Sequence, residues 1–172
     1  MVQKLKAIVF IDGSNIYFAQ KKMGKWLDWV KVKQYLEKHY DIIEIHYYVG
    51  VRKSDPKMRS FLQKLDKIGF KIITKPVKKI IDETGREIEK ANFDVEITGD
   101  ALESTSDFDI LLLFSGDSDF AYLCKLLHGK NKKIYFFASK KTLAWELRKA
   151  ADHFFYLENF PYLTKGRSFV KV

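Results

Sequence analysis

The chain has 172 residues, which suits one domain of ordinary size, and 47% of them are hydrophobic, which excludes a disordered chain. No apolar run approaches the roughly 18 residues that span a bilayer, and the first run ends at Asp12, too early for a signal peptide. A single cysteine, Cys124, excludes an internal disulfide and a cysteine-based zinc site. The net charge is +9. We therefore expect a soluble, cytoplasmic, basic protein with no membrane association.

The hydrophobic pattern predicts alternating strands and helices along the chain. The first half predicts a strand at 7–11, helices at 16–22 and 29–39, a strand at 42–49, a helix at 56–68 and a strand at 70–74. Residues 76–91 are polar and predict a hairpin that turns near Gly85. The second half predicts a helix at 94–103, strands at 110–114, 133–138 and 154–157, and helices at 120–127 and 142–151.

This alternation predicts an α/β fold whose central sheet is mainly parallel, with helices on both faces. We expect a single domain over residues 1–160, followed by a basic C-terminal tail over residues 161–172. In such sheets, functional sites form beyond the carboxyl ends of the strands, where the strand order reverses. The residues that follow each buried strand are therefore the first candidates for a site.

Aspartates follow two of the most apolar strands. Asp12 ends the strand at 7–11, and Asp117 and Asp119 come shortly after the strand at 110–114. If these strands are neighbours, three carboxylates meet at one edge of the sheet. Asp94, at the start of the helix that leads into the second strand, adds a fourth.

Two interpretations of these aspartates stay open at this point. Asp and Ser before a helix are ordinary N-caps, and Asp12 or Asp117 suits that role. Grouped carboxylates, however, repel one another unless a cation lies between them, and oxygen-only ligation fits Mg²⁺ or Mn²⁺. The second interpretation predicts a site for one or two divalent cations.

The chemistry that such a site would serve is narrowed by what the sequence lacks. It contains no phosphate-binding G-x-x-x-x-G-K-[ST] loop and no visible Ser/His/Asp grouping. Hydrolysis of a phosphodiester by metal-activated water fits best. Phosphomonoester hydrolysis through an aspartate nucleophile is the competing chemistry, but Ser14 stands where a second carboxylate is usual.

Three motifs together resemble the NYN domain family, whose LabA-like members belong to the PIN-like nuclease superfamily. They are Phe10-Ile-Asp-Gly-Ser-Asn15, the stretch from Lys90 to Leu102 (KANFDVEITGDAL), and Phe114-Ser-Gly-Asp-Ser-Asp-Phe120. The resemblance extends from about Ala7 to Leu157. It implies a PIN-like three-layer fold, an acidic pocket for a divalent metal, and ribonuclease activity.

The resemblance also implies roles for individual residues. Asp12 and Asn15 match the first motif, Asp94 matches the aspartate that follows the motif lysine Lys90, and Asp117 with Asp119 match the third motif. Two roles have alternatives. Asn15 either contacts substrate or caps and orients Asp12, and Lys90 either binds phosphate or pairs with Glu87 or Glu89. Asp100 lies about 240° around an ideal helix from Asp94 and is expected outside the metal ligands.

The uneven charge suggests where a nucleic acid would bind. Residues 52–80 carry ten basic and two acidic residues, whereas residues 81–119 carry two basic and twelve acidic residues. A lysine-rich solvated surface is one explanation, and a polyanion-binding surface beside a carboxylate site is the other. On the second explanation, the candidate phosphate contacts are Arg52, Lys53, Lys57 and Arg59. The tryptophans Trp26, Trp29 and Trp145 are expected in the core or at its edge rather than as base-stacking surfaces.

The sequence as a whole predicts a metal-dependent endoribonuclease with Asp12, Asp94, Asp117 and Asp119 as ligands of Mg²⁺ or Mn²⁺. A non-catalytic RNA-binding regulatory module of the same fold is one alternative. A structure-specific DNA nuclease or a nucleotide phosphatase is another. RNA is expected over DNA because of the family resemblance, and a homo-oligomer remains open.

Overall fold

The computed structural model describes residues 3–160 and 164–165. Its strands are β1 (Lys6–Asp12), β2 (Trp26–Leu27), β3 (Asp41–Val51), β4 (Lys71–Pro76), β5 (Lys78–Ile81), β6 (Glu87–Lys90), β7 (Ile110–Phe114), β8 (Lys133–Ala138), β9 (His153–Tyr156) and β10 (Thr164–Lys165). Its α-helices are α1 (Gly13–Met23), α2 (Trp29–His39), α3 (Pro56–Lys67), α4 (Asp94–Glu103), α5 (Ala121–His128) and α6 (Trp145–Ala150).

The central sheet has six strands in the order β4-β3-β1-β7-β8-β9, and every neighbouring pair is parallel. From β1 the chain continues outward to β3 and β4 on one side, whereas β7, β8 and β9 fill the other side. The strand order therefore reverses between β1 and β7, whose ends meet where Ile11 pairs with Phe114. Sites in parallel sheets form beyond the strand ends at such a reversal.

The core has two layers because successive side chains of a strand point to opposite faces of the sheet. Ala7, Val9 and Ile11 of β1 pack in one cluster, and Ile8 and Phe10 pack in the other. Helices α1, α2 and α3 contribute to the first cluster, and α4, α5 and α6 contribute to the second. The predicted parallel α/β fold with helices on both faces is confirmed.

Most predicted elements are present with small changes at their ends. The helices at 29–39 and 94–103 and the strands at 110–114 and 133–138 have the predicted bounds. The helix predicted at 142–151 is shorter, because Ala144 is extended and its amide donates to the Gly116 carbonyl at 2.9 Å. The hairpin at 76–91 is confirmed as β5 and β6, with Gly85 in the left-handed conformation at its turn.

One pairing was not predicted: β10 lies antiparallel to β2, with Thr164 opposite Leu27. The other residues of the predicted tail at 161–172 lie outside the described residues, so the tail stays a prediction. In the part of the chain that the structure describes, no helix has the length and apolar character needed to cross a membrane.

Candidate metal centre

Three aspartates bring their carboxylates together beyond the ends of β1 and β7. Asp94 is the first residue of α4, and Asp117 and Asp119 lie in the turn that follows β7. One oxygen from each of the three lies within 4.8 Å of the others. Asp94 and Asp117 are half-buried and Asp119 is exposed. Three carboxylates at this spacing can hold a hard cation such as Mg²⁺ or Mn²⁺.

Local backbone bonds hold this acidic cluster, defined as Asp94, Asp117 and Asp119, in place. Asp117 caps the short helical turn Ser118–Phe120, and its Oδ1 accepts from the Asp119 amide at 3.1 Å. The Asp94 amide donates to the Asn92 side chain at 2.8 Å. One carboxylate oxygen of Asp117 therefore caps this helical turn. Asp117 can be an N-cap and a member of the acidic cluster at the same time.

Asp12 lies beside the acidic cluster and is buried, with only 8% of its surface exposed. It caps α1: its Oδ1 accepts from the Asn15 amide at 3.1 Å, and its Oδ2 accepts from the Ser115 hydroxyl at 3.4 Å. Burial raises its pKa to about 6, and the charges of Asp94 and Asp117 add to that rise. The structure thus places Asp12 next to the other three without including it in their group.

Asn15 joins the two halves of the site. The backbone amide of Asn15 donates to the Asp12 carboxylate, and the side-chain oxygen of Asn15 accepts from the Gly116 backbone amide at 3.0 Å. The end of β1 is thereby bound to the loop after β7, which carries Asp117. This contact agrees with the orienting role considered for Asn15, and its contact with substrate stays a prediction.

Electrostatic repulsion within the acidic cluster is visible at Asp94. Burial raises the pKa of Asp94, the charges of Asp117 and Asp119 raise it further, and Lys90 lowers it. The two acidic residues considered as partners of Lys90 pair elsewhere: Glu87 with Lys79 at 2.7 Å and Glu89 with Arg52 at 2.5 Å. Lys90 therefore lies within electrostatic reach of the acidic cluster.

The predicted basic residues lie at the same edge of the sheet as the carboxylates. They follow β3, which ends at Val51, in a parallel sheet whose carboxyl ends all point the same way. Arg52 is bound to Glu89, and Lys53, Lys57 and Arg59 are exposed. Their contact with a phosphate backbone stays a prediction.

Asp100 lies apart from the acidic cluster, as expected, and has a different partner. Its Oδ2 accepts from the Tyr48 hydroxyl at 2.8 Å. The Tyr48 hydroxyl also lies 3.2 Å from Nδ1 of the buried His46, whose Nε2 contacts Glu44 at 2.5 Å. This chain of hydrogen bonds connects α4 to the adjacent strand β3 through the second core layer.

Two glycines near the site were not singled out from the sequence, although both are in the motifs. A Cβ on Gly13 would lie 2.6 Å from the Tyr48 carbonyl oxygen, and a Cβ on Gly116 would overlap the Thr142 carbonyl oxygen. Because glycine has no side chain, the backbone of Tyr48 can lie against Gly13, next to Asp12, and the backbone of Thr142 can lie against Gly116, next to Asp117. The sequence signal was present as Asp-Gly and Gly-Asp, but the close approach depends on segments far away in the chain.

Comparison with known proteins agrees with this geometry. The chain is 33% identical to the low amplitude and bright protein LabA of Synechococcus elongatus, over 95% of this chain and 86% of LabA. A solved structure of a Vibrio parahaemolyticus protein of unknown function superposes with a TM-score of 0.78 at 26% identity, covering 91% of this chain and 95% of that one. The profile of the NYN domain matches residues 6–158. The chain therefore belongs to the NYN domain family.

Proposed function

We propose that this protein is a metal-dependent endoribonuclease that hydrolyses phosphodiester bonds in RNA. The observation that carries the proposal is the meeting of the carboxylates of Asp94, Asp117 and Asp119 at the reversal of the sheet. The NYN family belongs to the PIN-like nuclease superfamily, which supports a nuclease over other uses of an acidic site.

The donor set fits a divalent cation of the Mg²⁺ or Mn²⁺ kind. The ligands would be Asp94, Asp117 and Asp119, with Asp12 adjoining them, and all four supply only oxygen. Burial raises the pKa of Asp12 and of Asp94, and the neighbouring carboxylates raise both further, so a cation at this position would favour the charged forms. When bound, a cation at this position supplies an activated water molecule and offsets the charge of the phosphate.

The protein's own residues would orient the reacting groups. Asn15 ties the end of β1 to the loop after β7, which would hold Asp12 and Asp117 in a fixed relation to each other at the site. Lys90 would neutralise one phosphate oxygen at the edge of the cluster. The exposed lysines and arginines after β3 would bind the chain of phosphates on either side, independently of sequence.

The experiment that tests this proposal compares substrates and metals directly. Labelled single-stranded RNA, structured RNA and single-stranded DNA are incubated with the protein in Mg²⁺, in Mn²⁺ and in EDTA. We expect internal cleavage of RNA with either metal and none in EDTA. Binding of RNA without cleavage in both metals would instead support the regulatory module, and preferential cleavage of DNA would support the DNA nuclease.

A further inference from the structure

A groove of about 730 Å³ begins at the first residues of α1, the helix that Asp12 caps. Its lining includes Gly13 and Ser14, which follow Asp12, and Ala91, which lies three residues before Asp94. From there it runs between α1, the start of α2, and α3. A volume of this size lies in the range of about 300–1,000 Å³ that holds small organic ligands. One end of the groove is therefore formed by chain neighbours of Asp12 and Asp94.

The walls of the groove carry aromatic rings that are partly exposed. Tyr17 and Trp26 are half-buried, and their ring centroids lie 5.7 Å apart. Phe61 on the opposite wall is also half-buried, and it contacts the buried Tyr47 with centroids 5.7 Å apart. Nucleobases stack on such rings whatever their sequence, because each base has a π face. Of the three tryptophans expected in the core or at its edge, Trp29 is buried and Trp26 is half-buried and lines the groove. The expectation was wrong for Trp145, which is 61% exposed.

The lining of the groove carries a small excess of basic over acidic residues. Four basic residues line it, which are Arg52, Lys57, Lys64 and Lys67. Three acidic residues also line it: Glu89, which is paired with Arg52, and Asp28 and Asp55, which cap α2 and α3. An apolar peptide would use the aromatic rings but not the lysines, whereas a nucleic acid uses both.

We propose that this groove is a subsite for the unpaired bases of an RNA chain next to the bond that is cut. The inference rests on the proposed function, since it takes RNA as the substrate. Bases within a duplex are paired and stacked on one another, so they cannot stack on Tyr17 and Trp26. The groove therefore makes the protein selective for single-stranded RNA.

The test measures RNA affinity after a base is removed from the RNA, after an aromatic ring is removed from the protein, and after both are removed. Fluorescence anisotropy in EDTA measures the affinity for an unstructured 5′-labelled RNA oligonucleotide and for a set in which each position in turn is abasic. The proteins are wild type, Trp26→Ala, Tyr17→Ala and Trp26→Phe, the last of which keeps a ring at that position. Circular dichroism of each variant shows that it is folded.

We expect an abasic position at one or two adjacent sites to weaken wild-type binding by about 5- to 150-fold, the range of one base stacked on an aromatic ring. The same abasic position should weaken binding little in Trp26→Ala or Tyr17→Ala. In Trp26→Phe, which keeps a ring, it should again weaken binding. Abasic effects of equal size in wild type and both alanine variants would overturn the inference and leave the groove to a protein partner.

The outcome for the groove is separable from the outcome for catalysis, because binding is measured without metal. If the wild type cleaves RNA in Mn²⁺ but the rings and bases are not coupled, the groove inference fails and the proposed function stands. If coupling is found but neither metal supports cleavage, catalysis fails and RNA binding in the groove stands.

Discussion

Asp12 is the most buried of the four aspartates at the candidate metal centre, and keeping its buried carboxylate charged lowers the free energy of unfolding. Burial and two neighbouring carboxylates raise its pKa from 3.8 to about 6. The folded state therefore holds a proton more tightly than the unfolded state does. Stability is lost as the pH rises from about 4 through about 6, and the full cost applies above that range.

Asp12→Asn should remove this cost while keeping the cap of α1, because the amide oxygen can still accept from the Asn15 amide. In EDTA at pH 7.5, we expect the variant to be more stable than wild type by about 2–3 kcal/mol. At pH 3.5 the two should be nearly equal. Urea unfolding at both pH values measures the difference.

The matched control is Asp41→Asn, since Asp41 is exposed at the start of β3, at the opposite edge of the sheet. Asp41→Asn removes the same charge, and its free energy of unfolding should equal that of the wild type at both pH values. If Asp12→Asn is less stable than wild type at pH 7.5, the burial cost assigned to Asp12 is wrong.

A second prediction concerns the ligands themselves. A cation that binds only the folded state should raise the melting temperature, by about 5–10 °C when Mn²⁺ is at about 100 times its Kd. Asp117→Asn should abolish most of that increase, although it keeps the acceptor for the Asp119 amide. Differential scanning fluorimetry with Mn²⁺ and with EDTA measures the increase. The same increase in Asp117→Asn as in wild type and Asp41→Asn would contradict a cation at the acidic cluster.

At the scale of elements, α4 carries Asp94 and depends on a lysine of β4 for its position. The Lys75 ammonium donates to the Asn92 carbonyl and to Glu96 at 2.6 Å. It also lies 4.4 Å from the centroid of the Phe93 ring. These contacts surround the first turn of α4, so Lys75 sets where Asp94 enters the site.

Lys75→Met should therefore lower the affinity of the candidate metal centre for Mn²⁺, although Lys75 is not one of its ligands. We expect about a tenfold loss of Mn²⁺ affinity, the lower end of what is typical when a group that orients a ligand is removed. Titration calorimetry measures the affinity. Lys71→Met, on the same strand, is the control, because Lys71 is exposed and pairs only loosely with Glu44 at 3.8 Å. Equal Mn²⁺ affinity in the two variants would show that Lys75 does not position Asp94.

The elements of the central sheet were predictable because their signals are local. The apolar runs of β1 and β7 and the caps at Asp12 and Asp55 lie within a few residues of the boundaries they set. The pairing of β2 with β10 was not predictable, since two residues carry no periodic pattern and the partner is far away in the chain. The late start of α6 depends on a bond from Ala144 to Gly116, which only the folded backbone reveals.

At the scale of the whole molecule, the basic residues and the acidic cluster belong to different segments of the chain, as the sequence indicated. The acidic cluster lies at the reversal of the sheet, and the basic residues after β3 lie at the same edge. We expect binding and cleavage to be separable by mutation for that reason. A variant with four glutamines should bind RNA more weakly and with less dependence on salt, and the residues replaced are Arg52, Lys53, Lys57 and Arg59.

The slope of log affinity against log salt should fall by about 0.7 for each phosphate contact that is lost. Filter binding of single-stranded RNA at several salt concentrations measures that slope. The control variant replaces four exposed lysines on segments that end or begin at the opposite edge of the sheet, which are Lys38, Lys125, Lys130 and Lys133. If the control loses as much slope as the test variant, the RNA path does not follow β3.

The meeting of aspartates at one edge of the sheet was predictable from the sequence, but the geometry around them was not. The sequence places Asp12, Asp94 and Asp117 at the ends of elements that a parallel sheet brings together. It does not say that both oxygens of Asp12 are used by Asn15 and Ser115. Nor does it indicate the groove, because its walls come from α1, α2 and α3, whose side chains are adjacent only after folding.

The most direct test of the central claim is the single-turnover cleavage rate of Asp119→Asn at saturating RNA in Mn²⁺. Asp119 is exposed, so its replacement should leave the fold intact, and RNA affinity in EDTA should be equal or higher because one repulsive charge is gone. We expect the rate to fall at least about 100-fold, since a lost cation ligand acts on the transition state, while Asp41→Asn keeps the wild-type rate. Cleavage by Asp119→Asn at the wild-type rate would contradict the account.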